Sequence, residues 1–167
     1  MKDGELFERD GRFELRFVRA LSHPVEKVWQ AVTSPEGLSA WFPFDVVGER
    51  AAGAPLEFVF RAGEGPPFAG SMVEFAPESV MELAWEGDET LRLEVRPIPD
   101  GCELTLINRF DEIGKAARDA AGWHACLDAL SAALEGEAID SMTVWRAVHP
   151  GYVARFGASA ATIGPPA

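Results

Sequence analysis

The sequence predicts a single α+β domain in which a curved antiparallel sheet wraps around a long C-terminal helix. Between residues 44 and 110, short apolar segments recur at roughly ten-residue spacing and are separated by Gly, Pro and Asp, which is typical of an antiparallel meander. From residue 116 to residue 134 the apolar period changes to that of a helix. One face of the sheet is too apolar to stay uncovered, so we expect the sheet and this helix to pack together.

One strand and two short helices are predicted before the meander. The strand covers residues 11–22, where apolar and polar residues alternate. The first helix covers residues 23–33, because Pro24 suits the first helical position and an apolar stripe follows it. Ser34 repeats this start signal as a cap, and the second helix continues through residues 36–40.

The meander is predicted to contain six strands, which makes a seven-stranded sheet. Its clearest turn is formed by Pro99, Asp100 and Gly101, because Asp and Gly tolerate the positive φ values of tight hairpins. In the strand before that turn, apolar and charged residues alternate, so one face of the sheet should be dry and the other wet. The six strands are residues 44–48, 56–61, 68–75, 80–85, 90–96 and 102–110.

The chain after the long helix is predicted to be a helical appendage of the same domain. Residues 1–139 form the sheet-and-helix unit, and residues 140–167 follow it. Apolar residues return at helical spacing in this second stretch, but His149, Pro150 and Gly151 interrupt them. We therefore expect a broken helix followed by an unstructured, proline-containing tail.

Composition and charge exclude several classes of function. The chain has 15 basic and 27 acidic residues and a net charge of −12, so nucleic acid and anionic membranes are not expected partners. Cys102 and Cys126 form no CxxC pair, the three histidines are dispersed, and no phosphate loop, dinucleotide fingerprint or nucleophile elbow is present. We expect no metal, no cofactor and, without a signal peptide or membrane-spanning run, a cytoplasmic protein.

Four segments carry a resemblance to a known family. They are HPVEKVWQAVTSPEGLSAWF (residues 23–42), GSMVEFAPESVMELAW (70–85), ELTLINRF (103–110) and GWHACLDALSAAL (122–134). With these segments the chain resembles the START-like, helix-grip (SRPBCC) superfamily, and within it the Hsp90 ATPase activator-homologue family. The resemblance implies an apolar cavity between the sheet and the long helix. It does not assign a chemistry, because the superfamily includes lipid carriers, receptors, cyclases, dehydratases and chaperone-associated domains.

Polar residues that face the cavity are the candidates for catalysis. His124 lies at the edge of the apolar stripe of the long helix and is either a general base or hydrogen-bond donor, or a boundary histidine satisfied by backbone or water. Asp119 either reaches the mouth of the cavity or interacts with the helix dipole. Asn108 and Arg109 point to opposite sides of the last strand. Arg109 or Arg92 is either a partner for a ligand carboxylate, or part of a solvated strand face or of an ion pair with Glu94 or Glu103.

Aromatic side chains are the candidates for lining the cavity. The chain has five Trp and eleven Phe but one Tyr, so this surface carries few hydroxyl groups and suits an apolar or aromatic ligand. For any one of them, the alternative is a place in the ordinary core. Residues 62–68 form either a lid or an ordinary hairpin loop. The candidate lining residues are Trp41, Phe42, Phe58, Phe60, Trp85, Trp123 and Leu127.

Three functions are compatible with this sequence. The first hypothesis is the binding of a small hydrophobic or aromatic molecule in the cavity, since no reactive constellation is visible. The second is a co-chaperone-like modulator of an Hsp90-type ATPase, which is what the resemblance implies. The third is a cyclase, dehydratase or hydrolase for an aromatic or polyketide-like substrate, with His124 or Asp119 as acid or base and Arg109 orienting the substrate. A homodimer is a further candidate assembly.

Overall fold

A computed structural model describes residues 2–61 and 63–164 and gives the chain eight strands and four α-helices within those ranges. The strands are β1 Glu5–Arg9, β2 Arg12–Leu21, β3 Asp45–Val47, β4 Pro55–Val59, β5 Phe68–Ala76, β6 Val80–Trp85, β7 Glu89–Ile98 and β8 Gly101–Phe110. The helices are α1 Val25–Thr33, α2 Pro35–Leu38, α3 Ala116–Leu134 and α4 Ser141–Phe156. Short 3₁₀ turns lie at Glu86–Asp88, Ile113–Lys115 and Ala158–Ala161.

All eight strands form one antiparallel sheet in the order β1-β2-β8-β7-β6-β5-β4-β3. From β3 to β8 the strands follow one another as a meander, as predicted. The sheet is completed by β2, which pairs with β8 from Phe13 opposite Phe110 to Leu21 opposite Cys102. Two strands that are far apart in sequence, β2 and β8, are therefore neighbours, second and third from the β1 edge of the sheet.

The predicted count of seven strands is corrected to eight by β1. Asp10 and Gly11 adopt positive φ values of 54° and 76° and connect β1 to β2 as a two-residue hairpin, with Arg9 opposite Arg12. An Asp-Gly pair is a strong hairpin signal. The strand before it was missed because Glu5–Arg9 has no alternation of apolar and polar residues, since both of its apolar residues are adjacent in sequence.

The long helix α3 lies against the concave face of the sheet, which confirms the predicted α+β helix-grip architecture. Leu127 and Leu130 on the helix are each 1% exposed, and Leu91, Leu93 and Leu106 on the sheet are fully buried. Burial of apolar surface at about 25 cal/mol per Å² is the main force that holds the two layers together. No helix within the described residues is both long and apolar enough to cross a membrane.

The predicted interruption at residues 149–151 is wrong, because α4 continues through Pro150. Proline removes one helical hydrogen bond, yet both ends of α4 are held by tertiary contacts. The indole Nε1 of Trp145 donates to the carbonyl oxygen of Arg118 at 3.1 Å, and the Tyr152 hydroxyl bonds to the ring of His124 at 2.8 Å. These contacts with α3 stabilise the helix on both sides of the proline.

The predicted unstructured tail is also wrong as far as residue 163. Ala158–Ala161 forms a 3₁₀ turn in which Ala160 is buried. Beyond it, the Ile163 N–H donates to the carbonyl oxygen of Gly114 at 3.0 Å, so the chain returns to the start of α3. The predicted prolines of the tail, Pro165 and Pro166, lie outside the described residues.

Candidate functional site

A cavity of about 590 Å³ opens where β4 and β6 end, beside the first half of α3. The start of α4 closes its far side with Ser141, Met142 and Trp145. On α3, Gly122 and Cys126 face the space. The remaining walls are one set of aromatic residues and one set of charged residues.

The aromatic wall consists of Phe44, Phe60, Trp85 and Trp123. The ring of Phe44 contacts Phe60 edge to face at a centroid distance of 5.0 Å and lies 6.3 Å from Trp85. Such edge-to-face pairs are favoured arrangements for aromatic rings. Phe44 was not among the residues predicted from the sequence to line the cavity, because it lies directly before the edge strand β3 and carries no periodic signal of its own.

The charged wall is a chain of hydrogen bonds that starts at the aromatic wall. Trp123 Nε1 donates to Asn108 Oδ1 at 3.1 Å, and Asn108 Nδ2 donates to Glu89 Oε2 at 3.2 Å. The other oxygen of Glu89 accepts from Lys115, whose Nζ also lies 3.4 Å from Asp119 Oδ2. The indole N–H of Trp123 is therefore used inside the protein, and its ring presents only apolar surface to the cavity.

Arg118 completes the charged wall. Its Nε donates to Asp119 Oδ1 at 2.9 Å, and its backbone carbonyl accepts the hydrogen bond from Trp145. Arg118 thus links α3 to α4 through its backbone, while its side chain stays at the cavity. Glu89, Lys115 and Arg118 were not selected from the sequence, because they become neighbours only when β7 packs beside the start of α3.

Cys126 is the thiol that faces the cavity. Burial raises its pKa to about 12, although the positive charge of Arg61 acts in the opposite direction. A thiol with this pKa is protonated at neutral pH, and the thiolate is the nucleophilic form. Cys126 therefore contributes apolar surface and not a nucleophile. Within the described ranges, no three His, Cys, Asp or Glu side chains are grouped so that they could hold a metal ion.

Residues 22–135 match the family described as Activator of Hsp90 ATPase homolog 1-like protein, which is more than half of the chain. The chain belongs to this family. The resemblance identified in the sequence is thereby confirmed. Among curated proteins, none matches this chain significantly.

Solved structures show the same fold at low sequence identity. The crystal structure of CalU16 from Micromonospora echinospora has a TM-score of 0.75 and 20% identity and covers 92% of this chain and 97% of its own. A conserved protein of unknown function from Enterococcus faecalis has a TM-score of 0.72 and 16% sequence identity, and the match covers 92% of each chain. An activator-homologue protein from Aeromonas hydrophila has a TM-score of 0.58 and 14% sequence identity, and the match covers 74% of this chain and 92% of its own.

The predicted lining residues separate into two groups. Phe60, Trp85 and Trp123 line the cavity. The others lie in the surrounding core and are at most 4% exposed: Trp41, Phe42, Phe58 and Leu127. The indole of Trp41, for example, donates to the carbonyl oxygen of Ala31 at 2.9 Å. Core residues of this kind set the position of the wall and do not touch the cavity itself.

The polar candidates are also separated by the fold. Asp119 lines the cavity, and Asn108 faces inward behind it. Arg109 points to the convex face and donates to the buried carboxylate of Glu14 at 2.9 Å. Burial acts to raise the pKa of Glu14, but hydrogen bonds from Arg109 and Arg16 outweigh it and hold the pKa below its usual value. Arg109 is therefore a structural partner on the far side of the sheet.

The other arginine considered in the sequence, Arg92, also lies on the convex face. It donates to Glu74 and Glu94, both at 2.8 Å. These contacts agree with the interpretation that Arg92 is part of a solvated strand face and does not bind a ligand. Among the residues that connect β4 to β5, Gly65 lies against the ring of Phe60. Their role as a lid stays a prediction.

His124 lies in a second, buried polar cluster that is separate from the cavity. The Gly4 N–H donates to the Tyr152 oxygen at 2.8 Å, and the same oxygen forms a hydrogen bond with His124 Nδ1, also at 2.8 Å. His124 Nε2 lies 3.7 Å from Asp128 Oδ2. Burial lowers the pKa of His124, and the carboxylate of Asp128 offsets this only in part.

We predict that His124 makes this protein less stable in acid. An unfolded histidine takes a proton near pH 6.5, but the folded one resists it, so the unfolded state binds more protons below that pH. The contribution of neutral His124 to the free energy of unfolding is complete above about pH 6.5 and is lost as the pH falls below that value. When the pH is lowered from 7.5 to 5.0, the free energy of unfolding should fall by about 1 to 2 kcal/mol more in wild type than in His124→Asn. Urea denaturation at both pH values measures this. Equal losses in the two proteins would contradict this assignment.

Proposed function

We propose that this chain binds a small hydrophobic, largely aromatic molecule in the cavity beside α3. The observation that carries the proposal is a space of about 590 Å³ lined by the aromatic side chains of Phe44, Phe60, Trp85 and Trp123. Ligand sites in proteins are commonly apolar clefts of about 300 to 1,000 Å³ with a few polar groups at one side. The volume and the composition of this cavity both fall within that description.

The polar atoms of the aromatic residues support an apolar ligand. The N–H groups of Trp123 and Trp145 are both used in hydrogen bonds to the protein. The indoles of Trp123 and Trp145 and the phenyl rings of Phe44 and Phe60 therefore offer only π-faces and ring edges to a ligand. A flat aromatic molecule would gain both apolar burial and favourable ring contacts there.

The ionisable groups at the cavity support binding more than catalysis. Glu89, Lys115 and Asp119 are bonded to one another, and the Cys126 thiol is protonated at neutral pH because its pKa is raised to about 12. A general base or nucleophile needs a pKa close to the working pH and a free position next to the substrate. These residues are instead paired as structural groups.

Gly122→Leu is expected to abolish binding of a neutral aromatic dye, N-phenyl-1-naphthylamine, while the fold is kept. Gly122 lines the cavity in the middle of α3, and a Cβ built there meets no atom within 4 Å, so a leucine side chain would extend into the empty space. Affinity should fall at least about tenfold, as expected for a ligand that loses most of its apolar contacts. The dye's fluorescence on titration measures this.

The matched control for that experiment is Gly151→Leu. Gly151 is also a helical glycine with nothing within 4 Å of an added Cβ, but it lies on α4 and does not line the cavity. Both variants should be at least as stable as wild type in thermal denaturation, because glycine is unfavourable within helices by about 1 kcal/mol. No binding by wild type, or equal binding by Gly122→Leu, would overturn the proposed function.

The other hypotheses stay predictions. Modulation of an Hsp90-type ATPase is supported by the family description alone. The enzymatic alternative used His124 or Asp119 as acid or base and Arg109 to orient the substrate. Asp119 lines the cavity, whereas His124 and Arg109 lie away from it on two different sides of the fold. A homodimer and a cytoplasmic location have no structural observation that favours them.

A further inference from the structure

We infer that the molecule bound in this cavity carries an anionic oxygen, such as a carboxylate, phenolate or sulfonate, and that Arg118 recognises it. The inference rests on the proposed function, because it specifies the ligand of the same site. It is based on which hydrogen-bonding groups of the charged wall already have a partner in the protein. The acceptors on that wall are engaged, whereas the unengaged groups are donors.

Both carboxylates of the wall are occupied by protein donors. Glu89 accepts from Lys115 at one oxygen and from Asn108 at the other. Asp119 accepts from Arg118 Nε at Oδ1, and the ammonium of Lys115 lies 3.4 Å from Oδ2. Both side chains are also largely withdrawn from solvent, at 14% and 17% exposure. A ligand donor would have to displace one of these contacts.

The guanidinium of Arg118, by contrast, uses only one of its three nitrogens. Within the described residues, neither Nη1 nor Nη2 makes a hydrogen bond, and neither is a buried unpaired atom. The side chain is 29% exposed and lines the cavity. Its two terminal nitrogens therefore remain available on the cavity side as a planar donor pair.

This donor pair fits an anionic oxygen better than a cationic group. A guanidinium binds carboxylates and similar anions with two parallel N–H bonds, and the bond from Nε to Asp119 already fixes the plane of the fork. A cationic ligand would have to lie beside both Lys115 and Arg118 while it competes with them for Asp119. Charge repulsion from these two residues makes that arrangement unfavourable.

The ligand class that combines both walls is an aromatic molecule with an acidic oxygen at one end. The rings of Phe44, Phe60, Trp85 and Trp123 would cover its body, and Arg118 would bind the acidic group at the opposite side. Arginine recognition of this kind also sets the orientation of the ligand. The apolar body would then point toward the ends of β4 and β6.

Two dyes that share one scaffold test this inference. N-phenyl-1-naphthylamine is neutral, and 1-anilinonaphthalene-8-sulfonate is the same skeleton with a sulfonate. Both are titrated into wild type, into Arg118→Met and into Arg146→Met. The last variant is the matched control, because Arg146 is an exposed arginine of α4 that does not line the cavity. Titration of Gly122→Leu shows whether each dye occupies the cavity.

Wild type should bind the sulfonate dye about tenfold more tightly than the neutral dye, as expected for a charge-assisted hydrogen-bond pair. Arg118→Met should weaken the sulfonate dye about tenfold and change the neutral dye by less than about twofold, and Arg146→Met should change neither. If the neutral dye binds but Arg118→Met affects both dyes equally or neither, the inference fails and the proposed function stands. If neither dye binds wild type in the cavity, the proposed function fails as well.

Discussion

Asp128→Ala is expected to lower the free energy of unfolding by about 3 kcal/mol, because it leaves a buried arginine without its counter-ion. Arg19 points inward from β2 and is only 5% exposed. Its Nη1 donates to Asp128 Oδ1 at 3.0 Å and its Nε donates to the carbonyl oxygen of Lys2 at 3.2 Å, while Nη2 is buried and unpaired among the described residues. Without the carboxylate, the guanidinium would remain desolvated and uncompensated.

The matched variants are Arg19→Met and the double variant Arg19→Met/Asp128→Ala. Removing the buried cation destabilises the protein less than leaving it without a counter-ion, so Arg19→Met should lower the free energy of unfolding by only about 1 kcal/mol. The double variant should be more stable than Asp128→Ala alone, since no buried charge is left. Urea denaturation at pH 7.5 measures all three. If Arg19→Met proves as unstable as Asp128→Ala, the pair contributes through its packing and not through charge compensation.

Asn108→Leu is expected to lower the free energy of unfolding by about 3 to 4 kcal/mol and to weaken dye binding. Asn108 is fully buried and joins the two walls of the cavity, since it accepts from Trp123 and donates to Glu89 and to the carbonyl oxygen of Thr90. A leucine at this position leaves all three partners without that bond. Each buried polar group that loses its partner costs about 1 to 3 kcal/mol.

Leu106→Met is the matched control for that variant. Leu106 is also fully buried on β8, two residues away on the same face of the sheet, and it makes only apolar contacts. A volume-conserving change of this kind costs less than about 1.5 kcal/mol. Urea denaturation gives the two energies, and a shift in tryptophan emission should accompany Asn108→Leu alone because Trp123 loses its hydrogen bond. Similar losses in both variants would mean that the asparagine contributes no more than its volume.

The sheet and the long helix could be predicted from the sequence because each has a period. Alternation along β7 and the helical stripe of α3 are local signals, and burial of one face is their direct physical cause. The hairpin at Asp10 and Gly11 shows the limit of periodicity. Its turn chemistry was visible, but β1 is an edge strand with mixed exposure, so no alternation marked it.

The cavity could be predicted only in part, because its walls come from segments that are distant in the chain. The abundance of aromatic residues indicated an apolar site, but the direction of each ring depends on packing. Pro150 suggested a break, although tertiary contacts of Trp145 and Tyr152 keep α4 intact and bring its first turn to the cavity. No local pattern contains the pairing of Lys115 with Glu89.

The pairing of β2 with β8 has a consequence for how this polypeptide is made. During translation β2 leaves the ribosome long before β8 is synthesised. The edge of β2 that pairs with β8 is therefore unpaired for most of that time. Contacts between such distant segments are slow to form, and unpaired strand edges are prone to aggregate. The sheet can close only after Phe110 has emerged, and α3 must follow before the concave face is covered. Folding of this domain can therefore be completed only after α3 has been synthesised, and transient protection of β2 would matter most before that point.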